Sequence, residues 1–377
     1  MKVQIVDPAA YTPAYDHALC EALAKAGAEI ELATGPFGYG SVPAPVGYRR
    51  EERFYMGLPG DPGSQKLRLA RAAKHLPDML KWRKSTQQFD VVHMQWAPFQ
   101  ALDGHLLPRG RPLVMTAHDV LPREPRPGQV RAQSRVWRGA DAIVVHSEHG
   151  RDRLAAEAGV DPARIVVIPH GPFEHLVNQP DRMPLPAELA GGSGPVVLMF
   201  GLIRPYKGLE VLLKAWESVS GARLWIVGRP RMEIEALRAS APESVSFLPR
   251  YVDDREIPAI FEAADLCALP YTEIDQSGVL ATALAFGKPL LLSDAGGFPE
   301  VEAAGAAECV PAGDAAALAE GLNRLLTSPQ RLNELAGRAT DLATGGWSWQ
   351  RVAEQHLELY AALADSQRVH SAGKRGS

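Results

Sequence analysis

Short apolar runs alternate along the chain with segments that carry apolar residues at helical spacing. Residues 2–6 read as a strand, and residues 15–26 as a helix with Leu19, Leu23 and Ala26 on one face and Gly27 as its stop. Residues 29–33, 89–93, 113–117, 142–146 and 164–168 repeat the strand pattern. Residues 179–195 break it: four prolines and three glycines with little periodicity read as a linker. A second series then begins, with strands at 195–200, 222–227, 245–248, 266–269 and 289–293. Helices follow at about 315–326 and from 348 to about 364. This predicts an α/β protein of two Rossmann-like, doubly wound parallel-sheet domains. The expected limits are 1–178 for the first and 195–346 for the second, with 179–194 as linker, a helix at 348–364 crossing back to the first domain, and a disordered tail at 366–377.

In such sheets ligands bind beyond the carboxyl ends of the strands, so two domains facing across a cleft suit a two-substrate reaction. The 377 residues allow two full cores, and 46% hydrophobic with 22% charged residues is ordinary for a globular protein. A net charge of -4 gives no global reason to expect nucleic acid. Cys20, Cys267 and Cys309 are far apart and form no CxxC, which points away from a disulfide framework or zinc site. The opening apolar run is too short for a signal peptide, and no stretch is apolar enough to span a bilayer, so a cytoplasmic protein is expected.

Candidate chemistry gathers at strand ends. Gly201 closes the strand that opens the second series, and Arg204 and Lys207 occupy the loop before a helix begins near Gly208. Two cations beside a helix N-terminus make an anion site. After the 266–269 strand comes Pro270-Tyr271-Thr272-Glu273-Ile274-Asp275-Gln276-Ser277-Gly278. Backbone N–H groups of Gln276, Ser277 and Gly278 at a helix start suit a phosphate, and Glu273 and Asp275 suit sugar hydroxyls. A double glycine, Gly296-Gly297, follows the 289–293 strand. In the first series, His118-Asp119, His146-Ser147 and His170 end three successive strands.

Taken in order, these segments resemble the retaining glycosyltransferases of family 4, which have the two-domain GT-B fold. The resemblance runs from about residue 90 to 360. It rests on His118-Asp119, Ser147, Ile168-Pro169-His170-Gly171, Gly201-x-x-Arg204-x-x-Lys207-Gly208, Val227-Gly228, Ala264-Asp265, Gly287-Lys288-Pro289, Gly296-Gly297-x-Pro299-Glu300 and Trp347-Ser348-Trp349. It implies that a nucleoside diphosphate sugar is the donor, as a substrate and not a cofactor. Arg204 and Lys207 would hold the diphosphate, Ser277 and Gly278 would bind phosphate through backbone, His118 would meet the donor sugar, and backbone at Arg250, Tyr251 and Val252 would read the base. UDP is slightly favoured only because it is common, and GDP is the second choice. No metal is expected, since no Asp-x-Asp motif is present.

Two departures stand out. The family's Glu-x7-Glu motif is altered: Thr282 stands where the second Glu, the ribose ligand, is expected, and Asp275 is the candidate for the first. The loop after the first strand, from Asp7 to Asp16, holds no glycine, which leaves Tyr11, Tyr15 and Asp16, with Asp119, Ser147 and His170, as acceptor-side candidates. Residues 64–85 carry Lys66, Arg68, Arg71, Lys74, Lys81, Arg83 and Lys84 against one Asp78, with Leu69, Ala73, Leu76 and Leu80 at helical spacing. Such a helix either lies on anionic lipid, bringing a lipid-linked acceptor within reach, or packs on the sheet with a solvated basic face. The rival functions are a sugar-nucleotide epimerase or hydrolase of the same fold, and a non-catalytic nucleotide-sugar binding protein.

Overall fold

The computed structural model describes residues 1–40, 42–59, 63–122 and 125–373, with side chains of the last helix to Arg368. It divides into two compact units. The first is Met1–Pro169 with the closing helix Trp349–Gly373, and the second is His170–Ser348.

The first unit holds β1 (Lys2–Asp7), β2 (Glu29–Thr34), β3 (Arg49–Glu52), β4 (Val91–Met94), β5 (Leu113–Thr116), β6 (Ala142–Val145) and β7 (Ile165–Val167). They form one parallel sheet in the order β3-β2-β1-β4-β5-β6-β7. The second unit holds β8 (Val196–Phe200), β9 (Arg223–Val227), β10 (Val245–Leu248), β11 (Leu266–Leu269), β12 (Leu290–Ser293) and β13 (Glu308–Val310), also parallel, in the order β10-β9-β8-β11-β12-β13. Both orders reverse direction beside the first strand of the unit, the topological switch point where doubly wound sheets open a crevice.

Strands buried on both faces explain the continuous apolar runs. In the second unit Val196, Leu198, Trp225, Val227, Leu290 and Leu292 pack into one core layer. Their neighbours Val197, Met199, Leu224, Ile226 and Leu291 pack into the other. The period of two along each strand sorts residues between the layers.

β3 reads Arg-Arg-Glu-Glu and shows no apolar signal, so periodicity does not reveal it. Its reason is electrostatic. Glu31 on β2 is 2% exposed, and Arg49, its partner across the β2–β3 register, forms an ion pair with it. Arg53 adds a second contact at 3.0 Å, and Gln4 on β1 donates to the same carboxylate at 2.8 Å. A buried carboxylate needs such partners, and supplying them recruits the polar edge strand.

Three expected boundaries are corrected. The first domain does not extend to 178: His170 begins the second unit, and Leu176 lies in that unit's core. The 179–194 segment is not a free linker, because Leu189 is 1% exposed in the same core and Met183 N–H donates to Arg255 O at 2.8 Å. The tail expected to be disordered from 366 continues the closing helix to Gly373, with an Arg368–Asp365 pair one turn apart at 3.6 Å and no breaker before the glycine. Residues 374–377 of that tail lie outside the described residues.

The basic helix forms over Gln65–Ser85, capped by Ser64 Oγ accepting from Leu67 N–H at 3.2 Å. Its buried face is His75, Met79 and Trp82. Leu69, Leu76 and Leu80 are 65%, 44% and 45% exposed, so the leucine stripe faces solvent and not the sheet. Among the described residues, no helix is long and apolar enough to cross a membrane.

Candidate functional site

In the second unit, β8 ends at Gly201, whose φ of 101° lets the chain turn sharply. A Cβ there would lie 2.8 Å from Val279 Cγ2 and 3.4 Å from Lys207 Nζ. The strand end, the lysine and the first turn of the helix Gly278–Ala285 therefore meet at one place. Gly208, at φ 72°, brings the loop against the exit of β11, where a Cβ would lie 2.0 Å from Pro270 O.

Lys207 is 7% exposed. Its ammonium donates to Tyr271 Oη at 2.7 Å and lies 4.4 Å from the ring centre. Tyr271 is itself held, since Ser293 Oγ donates to its carbonyl at 2.5 Å. Thr272 N–H donates to Tyr206 O at 2.8 Å, tying the two loops together. Arg204 is exposed and precedes the short helical turn Pro205–Lys207.

Ser277 is the N-cap of the helix Gly278–Ala285, its Oγ accepting from Leu280 N–H at 3.2 Å. Phe173 packs beside Gly278, its Cε2 3.3 Å from where a Cβ would sit. Gln276 has a buried Oε1 with no hydrogen-bond partner, an orphaned acceptor beside this helix start. Asp275 is buried and Glu273 exposed. Thr282 turns back on its own helix, donating to Gly278 O at 2.9 Å. Arg250 makes a two-pronged pair with Glu256 at 2.8 and 2.6 Å. That pair holds the Glu256 carboxyl below its ordinary range and raises the Arg250 guanidinium. Beside it Tyr251 is 54% exposed and Val252 is buried.

In the first unit, the His118 ring is buried and held from several sides. Its Nε2 lies 3.1 Å from Gln95 Oε1 and its Nδ1 3.4 Å from His146 Nε2. It stacks on Trp96 with centroids 5.0 Å apart and meets the edge of Tyr15 at 4.9 Å. Burial pushes His146 down to about 4, so this ring is neutral near pH 7. Asp119 is exposed. Tyr11, also exposed, meets Trp96 edge-on at 5.4 Å.

Other acceptor-side candidates are placed differently from expectation. Tyr15 is 1% exposed and packs against His118, His146 and Trp349, which makes it a core residue. Asp16 is buried beside Asp7, whose carboxylate accepts from Thr12 N–H at 3.0 Å and Ala9 N–H at 3.2 Å. Burial, then the Asp7 charge, pushes Asp16 well above the ordinary carboxyl range. Ser147 serves as N-cap of the helix Glu148–Ala158, accepting from Gly150 N–H at 3.0 Å. His170 belongs to the second unit and contacts Phe173 edge-on. Sequence reasoning did not single out Gln95, Trp96, Phe173 or Tyr271 as site residues. Tyr271 carried a usable signal, because it lies two residues beyond the strand Leu266–Leu269, in the segment that leads to Ser277 and Gly278.

Residues 194–328 match the family described as Glycosyl transferases group 1, and residues 15–171 match Glycosyltransferase Family 4. A GDP-mannose:glycolipid 4-beta-D-mannosyltransferase of Xanthomonas campestris pv. campestris is 30% identical over 305 residues, covering 72% of this chain and 80% of that protein. A D-inositol 3-phosphate glycosyltransferase of Nocardia farcinica is 32% identical over 240 residues, covering 59% of this chain and 53% of that protein. Among solved structures, sucrose-phosphate synthase from Thermosynechococcus elongatus superposes with a TM-score of 0.74 at 19% identity, covering 97% of this chain and all of that one, a likeness of fold.

Proposed function

The chain belongs to the group 1, family 4 glycosyltransferases, with two Rossmann-like domains, and from that premise we propose how it works. It moves a hexosyl group from a nucleoside diphosphate sugar to an acceptor with retention at the anomeric carbon. Lys207 and Arg204 neutralise the diphosphate as it leaves, and backbone at Ser277 and Gly278 takes a phosphate oxygen at the helix start. The leaving diphosphate accepts the acceptor's proton, so no protein base is required. His118 meets the donor sugar, and Arg250, Tyr251 and Val252 border the base. UDP and GDP are the candidate bases, and the mannosyltransferase relative, which uses GDP-mannose, brings GDP level with UDP.

The observation that carries this reading is the convergence of Gly201, Lys207 and Val279 at one strand end, with the lysine held by Tyr271. A buried ammonium so close to a helix N-terminus is suited to a polyanion. The experiment is a thermal-shift panel of UDP, GDP, ADP, TDP and their sugars, with and without magnesium. A ligand at 100 times its dissociation constant adds about 2.7 kcal/mol of stability. One responding nucleotide whose effect disappears in Arg204→Ala supports the reading. Absence of any shift at millimolar nucleotide overturns it in favour of a chain without a donor site.

The protein works in the cytoplasm, touching the membrane surface. What supports this is the solvent-facing Leu69, Leu76 and Leu80 on a helix rich in lysine and arginine, together with the glycolipid acceptor in the name of the mannosyltransferase relative. Flotation with vesicles of anionic lipid tests it, and protein left in solution sinks it.

A further inference from the structure

The first unit contains a groove of about 1330 Å³ that the donor reading does not use. It lies between the start of the basic helix Gln65–Ser85 and the start of the helix Gln129–Gly139. Arg68, Arg71 and Arg126 all line it, and its described lining residues include no aspartate or glutamate. The helix Gln129–Gly139 starts here without a side-chain cap, since Gly128 occupies the cap position; Gln129 N–H donates to Arg126 O at 3.0 Å, and both Gly128 and Gln129 line the groove.

Arg71 is built into place. Its guanidinium lies 5.5 Å from the centre of the Tyr55 ring, and its Nε is buried with no hydrogen-bond partner. The Tyr55 hydroxyl lies 2.6 Å from His75 Nδ1, and His75 Nε2 lies 2.5 Å from Asp103 Oδ1. His75 and Asp103 are fully buried. This chain of contacts ties the nearby Asp103 carboxylate to His75 and, at 2.8 Å, to Phe99 N–H. Leu69 and Leu102, both exposed, are also in the lining.

Tyr11 joins the groove to the His118 cluster. It lines the groove and meets Trp96, on which His118 stacks.

We infer that this groove binds a phosphate group carried by the acceptor, held by Arg68, Arg71 and Arg126 while the acceptor hydroxyl extends past Tyr11 toward His118. The inference rests on the transferase reading and deepens it by giving the acceptor a chemical class. Three cations and a helix start match a phosphate, and the exposed Leu69 and Leu102 can meet an alkyl chain attached to it.

The test measures melting temperature with inorganic phosphate, octyl phosphate and octyl glucoside, in buffer without phosphate. Three proteins are compared: the parent, Arg68→Ala/Arg126→Ala, and Arg204→Ala/Lys207→Ala. Both arginines of the first pair are at the groove rim, so folding is expected to survive, and a UDP and GDP shift equal to the parent's checks this independently. The expected result is a rise of a few degrees with a phosphate probe in the parent and in Arg204→Ala/Lys207→Ala, lost in Arg68→Ala/Arg126→Ala. A response to inorganic phosphate as well as octyl phosphate identifies a water-soluble phosphorylated acceptor. A response to octyl phosphate alone identifies a lipid phosphate. No phosphate response in the parent, an equal response to octyl glucoside, or a response lost only in Arg204→Ala/Lys207→Ala overturns the inference. Because the nucleotide shift is read separately, loss of the donor reading and loss of the acceptor inference give different patterns.

Discussion

Lys207 donates its ammonium to the Tyr271 hydroxyl at 2.7 Å, and the two residues come from loops that follow different strands, β8 and β11. The tyrosine fixes a charge that would otherwise sample many rotamers, and it does so without neutralising it.

The consequence separates two variants. In the proposed role Lys207 meets the leaving diphosphate, so Lys207→Ala should lower kcat/KM by about 10²–10³-fold, or ~3–4 kcal/mol. Tyr271→Phe keeps the ring under the ammonium and removes only the hydrogen bond, worth about 0.5–1.5 kcal/mol, or at most about tenfold. Steady-state kinetics with the responding nucleotide sugar checks the ranking. Equal losses in the two variants would show that Tyr271 does more than orient the lysine.

Thr282, which the resemblance sets near the expected place of a ribose-binding glutamate, commits its hydroxyl to Gly278 O one turn back. Thr282→Val preserves shape and removes that internal bond. Donor KM should change by less than about threefold, under ~0.7 kcal/mol. A tenfold rise in KM would mean that the hydroxyl leaves its helix to read the ribose.

Both sheets were legible because buried parallel strands are continuous apolar runs, as in residues 196–200 and 290–293. β3 and the three-residue β13 were not; Glu31 specifies β3 through Arg49 and Arg53, and ion pairing leaves no periodic trace. At the site, glycines and cations in loops were visible, since Gly201, Lys207 and Gly208 belong to one short segment of the sequence. Their partners came from distant strand ends: Tyr271 reaches Lys207 across 64 positions, and Gln95 reaches His118 across 23. Tyr15 and Asp16 were misplaced for a related reason. A polar or aromatic residue after a strand end looks exposed until the helix Pro13–Lys25 turns that face inward.

Asp16 and Asp7 form a buried acid pair, and backbone donors to Asp7 leave Asp16 as the member that takes the proton. A carboxyl raised in the fold stabilises fully below its unfolded pKa, and that contribution is lost as pH rises through the folded value. Asp16→Asn supplies an amide N–H in place of the proton and does not titrate. Its melting temperature relative to the parent should therefore climb as pH is raised from 5 to about 9. Parallel profiles for the two proteins would show that the pair holds no proton.

The acid side depends on three buried histidines. His93 on β4 lies 2.6 Å from the Tyr360 hydroxyl of the closing helix and 2.8 Å from Thr116 Oγ1, and His146 and His356 are buried in the same unit. Burial lowers all three, His146 and His356 to about 4 and His93 well below its ordinary value. Each is neutral in the fold and charged in the unfolded chain at mildly acid pH. Their contribution is complete above the ordinary histidine pKa and is lost as pH falls toward about 4. His356 is the informative position. Its Nδ1 bonds Val352 O at 2.7 Å, but its Nε2 is buried with no partner, so the ring bears a desolvation cost as well as a titration. His356→Leu removes both at similar volume. It should match or exceed the parent's stability at pH 7 and exceed it by a growing margin below pH 6. Tyr360→Phe instead strands His93 Nδ1 and should cost about 1–3 kcal/mol at pH 7 as well as in acid. Urea unfolding of the two variants at pH 5 and 7 decides the matter. A His356→Leu protein that loses stability as steeply in acid as the parent would move the acid sensitivity away from this helix and onto His93 and His146.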